Sequence, residues 1–272
     1  MALSLLPTEL LISIANHLSS PQDLNCLAQT SRVLYQITNP ILYKNQILYN
    51  ESSALLWVAE RGKPAPCSRL LTEGANPNIK DSHERTPLSW TAGNGHADVV
   101  SILLSTVQTD PNVRDACFET PLSWAVGNGH AEIVKLLLTS PTVDPNQQNG
   151  IGDSALIDAV AAGHVDTVNV LLDNEKVDPN VASGGITALA VAADYGRNGI
   201  MQLLVAKGVE PDVKGIGGKT PLMIAAHKGN VEAVEILLST GRVAADFDLT
   251  MRGNVTVTLS PIVEDLPAFI RF

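Results

Sequence analysis

Three constellations in this 272-residue chain have residue types that could do chemistry. His96, His130 and His164 stand at a constant interval, as a set of metal-binding imidazoles could. Zinc, however, needs its ligand nitrogens at roughly 2.0–2.1 Å from one point, and groups on adjacent packed helices are ~10 Å apart. The three histidines are therefore expected to be structural, with no metal bound. Gly215-Ile216-Gly217-Gly218-Lys219-Thr220 ends like a phosphate-binding loop, but the first Gly of G-x-x-x-x-G-K-[ST] would fall at Val213. Cys26, Cys67 and Cys117 contain no C-x-x-C pair, so neither a disulfide framework nor a zinc site is indicated. There is no nucleophile elbow and no H-E-x-x-H. The expectation is a non-enzymatic protein without a cofactor.

A further candidate is positional. Trp57, Trp90 and Trp124, all the tryptophans of the chain, occupy one place in successive copies of a recurring phrase, and the next copy places Asp158 there. Tryptophans in such a series are expected to pack as an aromatic row. A carboxylate in the same place needs water or a hydrogen-bond partner if it is buried. Trp90, Trp124 and Asp158 are thus a candidate small polar pocket, the alternative being an aspartate turned to solvent.

The elements that position these residues follow from the phrase itself. Thr120-Pro121-Leu122-Ser123-Trp124-Ala125-Val126-Gly127-Asn128-Gly129-His130 has a near copy from Thr86 to His96, and reduced copies begin at Ser53, Ser154, Thr187 and Thr220. Starts at 53, 86, 120, 154, 187 and 220 give the 33–34-residue period of a stacked-repeat architecture. Each unit is too small to bury its own apolar face, so stability must come from neighbours. Thr120 suits an N-cap and Pro121 the first helical turn, where no N–H is required. Leu122 and Ala125 then face inward, and Gly129 supplies positive φ at the helix end. A second helix, as in 132–138 or 232–238, carries apolar residues at i, i+3 and i+4. Turn-forming triplets such as Asp110-Pro111-Asn112 and Asp144-Pro145-Asn146 then lead into projecting loops.

Phrase, period and second helix together resemble ankyrin repeats over about 190 residues. The resemblance implies an all-α ankyrin-repeat solenoid whose partner, a target protein, lies on the concave face made by finger tips and first helices. The matching positions are Ser82, His83, Arg85 and Asn94 in one repeat, and Ala116, Cys117, Glu119 and Asn128 in the next. Ile151 and Asp153, then Asp194 and Tyr195, then Lys219, His227 and Lys228 continue the set. Where Gly152, Gly185 and Gly218 stand in later repeats, the earlier ones carry Glu84 and Phe118. An aromatic ring on a projecting finger either packs on a neighbouring finger or anchors a partner.

Residues 1–50 differ from the repeats. Pro7 and Thr8 mark a helix start, and Leu10, Leu11, Ile14 and Leu18 form an apolar stripe. Ser20-Pro21 opens a second helix carrying Leu24 and Leu27, and a third is expected around 31–37. Leu6-Pro7-x-Glu9-Leu10, Asp23-Leu24-x-x-Leu27-Ala28 and Pro40-x-Leu42-Tyr43 resemble the F-box motif in the form found on filamentous-fungal F-box and ankyrin proteins. That resemblance implies a three-helix bundle binding a Skp-type adaptor, and through it a cullin complex, with Leu6, Pro7, Leu10, Ile14, Leu24 and Leu27 in the contact. The chain would then be a substrate receptor of a ubiquitin ligase. Alternatively, the helices only cap the first repeat and the chain is an ankyrin scaffold or inhibitor unrelated to ubiquitin. A third reading is an enzyme using a pocket in the groove.

The formal net charge of −10 argues against nucleic acid, whose phosphates need clustered Lys and Arg. No apolar run reaches the ~18 residues that suggest a membrane span, and no charged leader precedes the first apolar residues. A cytoplasmic or nuclear location is expected. The expected organisation is a helical bundle over 1–50, six repeats over 51–241, and a tail over 242–272. The tail lacks the phrase, contains a β-prone stretch over 253–261, and is expected to fold back in part as a cap.

Overall fold

The computed structural model describes residues 54–182, 185–215 and 218–243, together with two short strands beyond them. The chain divides into two compact units, one ending at Ala116 and the other beginning at Cys117. In the first unit the helices are α1 (Ala54–Glu60), α2 (Pro64–Thr72), α3 (Pro87–Asn94) and α4 (Ala97–Ser105). The second holds α5 (Pro121–Gly127), α6 (Ala131–Thr139), α7 (Ala155–Ala162), α8 (Val165–Leu172), α9 (Ala188–Asp194), α10 (Asn198–Ala206), α11 (Pro221–Lys228) and α12 (Val231–Ser239). Within each unit the first helices of consecutive repeats pack on one another, as do the second helices. The fold is an all-helical ankyrin-repeat solenoid.

The recurring threonines begin the first helices by the mechanism their chemistry implies. Thr86, Thr120, Thr187 and Thr220 each accept a hydrogen bond on Oγ1 from the backbone N–H three residues on, at 3.1–3.3 Å. Thr120 adds a reciprocal bond, its own N–H donating to Ser123 Oγ at 2.6 Å. Each such cap is worth about 1 kcal/mol. Ser154, at the start of α7, makes no side-chain cap bond. Leu88, Leu122, Leu156, Leu189 and Leu222 from first helices are buried, as are Leu103, Leu137, Leu171, Leu204 and Leu237 from second helices. Alanines such as Ala92, Ala125 and Ala159 have no exposed surface and let the first helices approach closely.

Three of the glycines before second helices, Gly62, Gly129 and Gly163, have a steric reason for being glycine. A Cβ on Gly129, at φ +74°, would lie 2.8 Å from the His164 ring of the next repeat, and one on Gly62 would lie 2.4 Å from the His96 ring. The rings lie over these glycines and bond to the preceding repeat: His96 Nε2 is 3.0 Å from Glu60 O and His164 Nε2 is 3.1 Å from Gly127 O. Arg197 takes the same role over Gly163, donating to Ala161 O at 3.2 Å. These side chains are staples between repeats.

A second set of staples joins the turn triplets. Asn78 donates to Gln108 O at 2.6 Å and accepts from the Asp110 N–H at 2.8 Å. Asn146 does the same to Lys176 O and the Asp178 N–H. Backbone groups left over by the turns are satisfied in this way. At the chain's other end, β1 (Asp248–Thr250) and β2 (Thr256–Thr258) pair antiparallel, Leu249 opposite Val257, and β1 lies beside α11. This strand pair follows the last repeat where a seventh would begin.

Candidate functional site

Three of the described fingers, each preceding a first helix, share one bond pattern of a tight turn. Asp81, Asn149 and Gly215 each donate their N–H to the carbonyl four residues on, at 2.9–3.0 Å. The residue one short of that carbonyl must adopt a left-handed backbone, which glycine does at no steric cost. Gly152, Gly185 and Gly218 occupy this place with φ of 90°, 80° and 72°, but Glu84 and Phe118 hold it with φ of 62° and 63°. Among the described fingers, two therefore carry a strained side chain where three use glycine.

In the first unit the finger is locked to the helix by a carboxylate. Asp81 Oδ1 accepts from the N–H groups of His83 and Arg85 at 2.7 and 2.9 Å, and Oδ2 accepts from Trp90 Nε1 at 2.9 Å. Burial would raise the Asp81 carboxyl, but these hydrogen bonds and the neighbouring His83 outweigh it and hold it below the usual range. The Arg85 guanidinium lies over the Trp90 ring, 5.0 Å from its centre, and pairs with the buried Asp115 at 3.7 Å. Arg61 stacks likewise on Trp57 at 4.9 Å, leaving that ring half exposed.

In the second unit the same joint is built with donor and acceptor exchanged. Asn149 occupies the place of Asp81, accepting on Oδ1 from the N–H groups of Ile151 and Asp153 at 3.1 and 2.9 Å. Its amide donates to Asp158 Oδ2 at 3.2 Å. The helix residue is now the acceptor and the finger residue the donor, so Trp with Asp becomes Asp with Asn. In later repeats the pair is Ala182 with Val191, then Gly215 with Ile224, and its polarity is gone. Asp158 does not turn to solvent; it is half-buried on α7. Burial, with the like charges of Glu119 and Asp153, pushes its carboxyl up to about 7 against the Asn149 hydrogen bond. Burial also raises Asp153.

Among the finger and first-helix positions singled out from sequence, His83, Asn94, Cys117, Phe118, Asn128, Ile151, Asp194, Tyr195, Lys219, His227 and Lys228 are exposed, and Arg85, Glu119 and Asp153 are half-buried. Asn94 and Asn128 also serve the framework, donating to Glu60 O and Trp124 O. Asp194 and Lys228 form an ion pair at 2.7 Å between consecutive first helices. Trp90 belongs to the first unit, and Trp124 with Asp158 to the second. A shallow groove of about 260 Å³ lies elsewhere, between α6 and α8, lined by Lys135, Leu138, Thr139, Val170, Asp173 and Asn174. Leu6, Pro7, Leu10, Ile14, Leu24 and Leu27 lie outside the described residues. Among the described residues no group of three or more His, Cys, Asp or Glu could hold a metal ion, and no helix is long and apolar enough to cross a membrane.

Sequence reasoning missed Asn149 and Asp81. Their signal was available: both stand five residues before a first-helix cap, and their types change together with positions 90 and 158. Only the hydrogen bonds reveal why the two positions are linked.

Stacked helix pairs, capped first helices and a row of projecting fingers with varied exposed side chains define a repeat-type binding scaffold. The chain belongs to the ankyrin-repeat family: the model of "Ankyrin repeats (3 copies)" matches it in overlapping windows from residue 27 to 251. An F-box-like model matches residues 3–48. The chain is 41% identical over 64 residues to Ankyrin repeat domain-containing protein 49 of Mus musculus, covering 23% of this chain and 27% of that protein. It thus spans about a quarter of the length of the curated relatives it matches. The ankyrin repeat domain of Bcl-3, a member of the IkappaB protein family, superposes with a TM-score of 0.68 at 22% identity, covering 78% of this chain and 95% of that one. The human ASB11 ankyrin repeat domain superposes at 0.63 with 25% identity, covering 78% and 94%. The ankyrin repeats make this chain a protein-interaction module.

Proposed function

We propose that this protein is a substrate receptor of a cullin-type ubiquitin ligase: its first 50 residues hold a Skp-type adaptor, and the finger and first-helix faces of its repeats hold the protein to be ubiquitinated. The observation that carries this reading is the joining, in one chain, of an F-box-like match over 3–48 to an ankyrin array. One part supplies a connection and the other a selective surface, so no catalytic group is required of this chain. The F-box-like segment is of the kind carried by filamentous-fungal F-box/ankyrin proteins, and the complex would act in the cytoplasm or nucleus.

The surface chemistry supports recognition of a protein. Exposed finger and helix positions change from His83 to Cys117 to Ile151, and from Asp194 to His227, while the leucine and alanine core beneath them stays nearly constant. A framework of fixed capping and packing with variable tips can be selected for one partner without loss of fold.

Co-purification of the full chain with a Skp-type adaptor tests the reading. Capture by the intact protein and its loss in Pro7→Ala/Leu10→Asp are expected. Failure of the intact protein to bind any such adaptor refutes it. If deletion of residues 1–45 lowers stability and no adaptor is lost, the segment is a cap and the protein an ankyrin scaffold.

A further inference from the structure

Two bulky apolar side chains stand on neighbouring fingers of the second unit, Phe118 at 56% and Ile151 at 80% exposure. The fingers touch: a Cβ on Gly150 would lie 2.7 Å from the Cys117 carbonyl oxygen and 3.5 Å from Phe118 Cδ2. Glycine at 150 lets the second finger rest against the first, and the edge of the Phe118 ring lies beside its backbone. Phe118 and Ile151 are thereby set on touching fingers, as the two exposed apolar side chains of a ledge.

Folding of the finger does not explain this ledge. Phe118 holds a backbone at φ 63°, where glycine stands in three other repeats and where a side chain is strained. Exposing an aromatic ring is a second cost. Both would vanish with glycine at 118; what the phenylalanine supplies instead is a ring that lies beside Gly150 of the next finger and still faces outward over half its surface.

The ledge is backed by carboxylates. Asn149 ties its finger to Asp158, and the charges that act on Asp158 from Glu119 and Asp153 are both negative. Burial and these like charges disfavour ionisation of Asp158, and an incoming cation would relieve the repulsion. An acidic segment or a nucleic acid would add to it.

We infer that the Phe118–Ile151 ledge, with the carboxylates of Glu119, Asp153 and Asp158, is the docking site for an extended peptide segment that presents a bulky apolar side chain next to a lysine or arginine. The apolar side chain covers the ledge, where an aromatic anchor contributes most. The cation lies over the carboxylates and fixes the register. This rests on the reading that the fingers hold a target protein, and it specifies the chemistry of that target.

The test uses the full chain and a phage-displayed library of random 12-residue peptides. Peptides with Lys or Arg beside Phe, Leu or Ile are expected to be enriched. Selected peptides should bind Phe118→Gly and Ile151→Ser about tenfold more weakly or worse. Glu119→Gln/Asp153→Asn should bind more weakly and with a smaller salt dependence. Phe118→Gly suits its backbone, and an undiminished melting temperature will exclude unfolding as the cause. Absence of enrichment, enrichment of acidic peptides, or equal binding to Phe118→Gly overturns the proposal, as does self-association that buries the ledge. Failure here with adaptor capture intact removes this docking site alone; loss of adaptor capture with peptides still selected refutes the ligase reading alone.

Discussion

Replacing Asp158 by Asn should stabilise the protein at neutral and alkaline pH, and by an amount that depends on pH. Burial first, then the charges of Glu119 and Asp153, raise this carboxyl from 3.8 to about 7. The folded state therefore holds the proton more tightly than the unfolded chain. Its stabilising contribution is complete below pH ~4 and is lost as pH rises through about 7. At about 1.4 kcal/mol for each pH unit of separation, the ionised form costs the fold at most about 4 kcal/mol. Partial solvent access and screening reduce this to about 1–2 kcal/mol. The substituted amide is neutral at every pH and could still accept from the Asn149 amide through its carbonyl oxygen. Urea unfolding of wild type and Asp158→Asn between pH 5 and pH 8 checks the reasoning. The advantage of the variant should grow across that range and level off above it. A difference that stays flat with pH refutes it, as does a carboxyl carbon resonance of Asp158 that titrates at the ordinary aspartate value of about 4.

Three further outcomes follow from the joints between elements. Asn149→Asp, which opposes two carboxylates, and Asp158→Trp, which removes the acceptor, should each destabilise, while the double variant recreates the Asp81–Trp90 arrangement; a coupling of about 1 kcal/mol or more is expected, and additive effects would show that the two positions do not communicate. Gly129→Ala should cost about 1–3 kcal/mol, because the new Cβ meets the His164 ring at 2.8 Å on a left-handed backbone; unchanged thermal unfolding would contradict the staple. Cys67, fully buried and with its thiol pushed up to about 11 by burial, should resist a thiol reagent in the native state, whereas the exposed Cys117 reacts; equal labelling rates would refute this.

The repeat was legible because its physics is local. A threonine that caps, a proline that needs no N–H and a leucine one position further each do their work within four residues, so their order survives in the sequence. The histidines illustrate the limit. Their spacing excluded a common metal, but nothing in the string indicated that His96 and His164 would lie over Gly62 and Gly129 and bond to carbonyls of the preceding repeat. Contacts between one repeat and the next depend on the stacking distance. The expected aromatic row illustrates it again: Trp57 and Trp90 each lie under an arginine, a partner that no periodicity announces.

The sequence alone determined the period, the capped first helices, the buried leucines and the conflict between Phe118 or Glu84 and the glycines of later repeats, because each depends on residue type within one turn or one repeat. Tertiary structure decided what those irregularities mean. The closeness of Gly150 to Cys117 and Phe118 arises only when the fingers of consecutive repeats are brought together, and the exchange of donor and acceptor between Asp81–Trp90 and Asn149–Asp158 only when each finger folds back on the helix that follows it. Asp158 shows the physical reason most directly: its type was known from the string, but its charge state depends on burial and on two carboxylates that only the fold sets beside it.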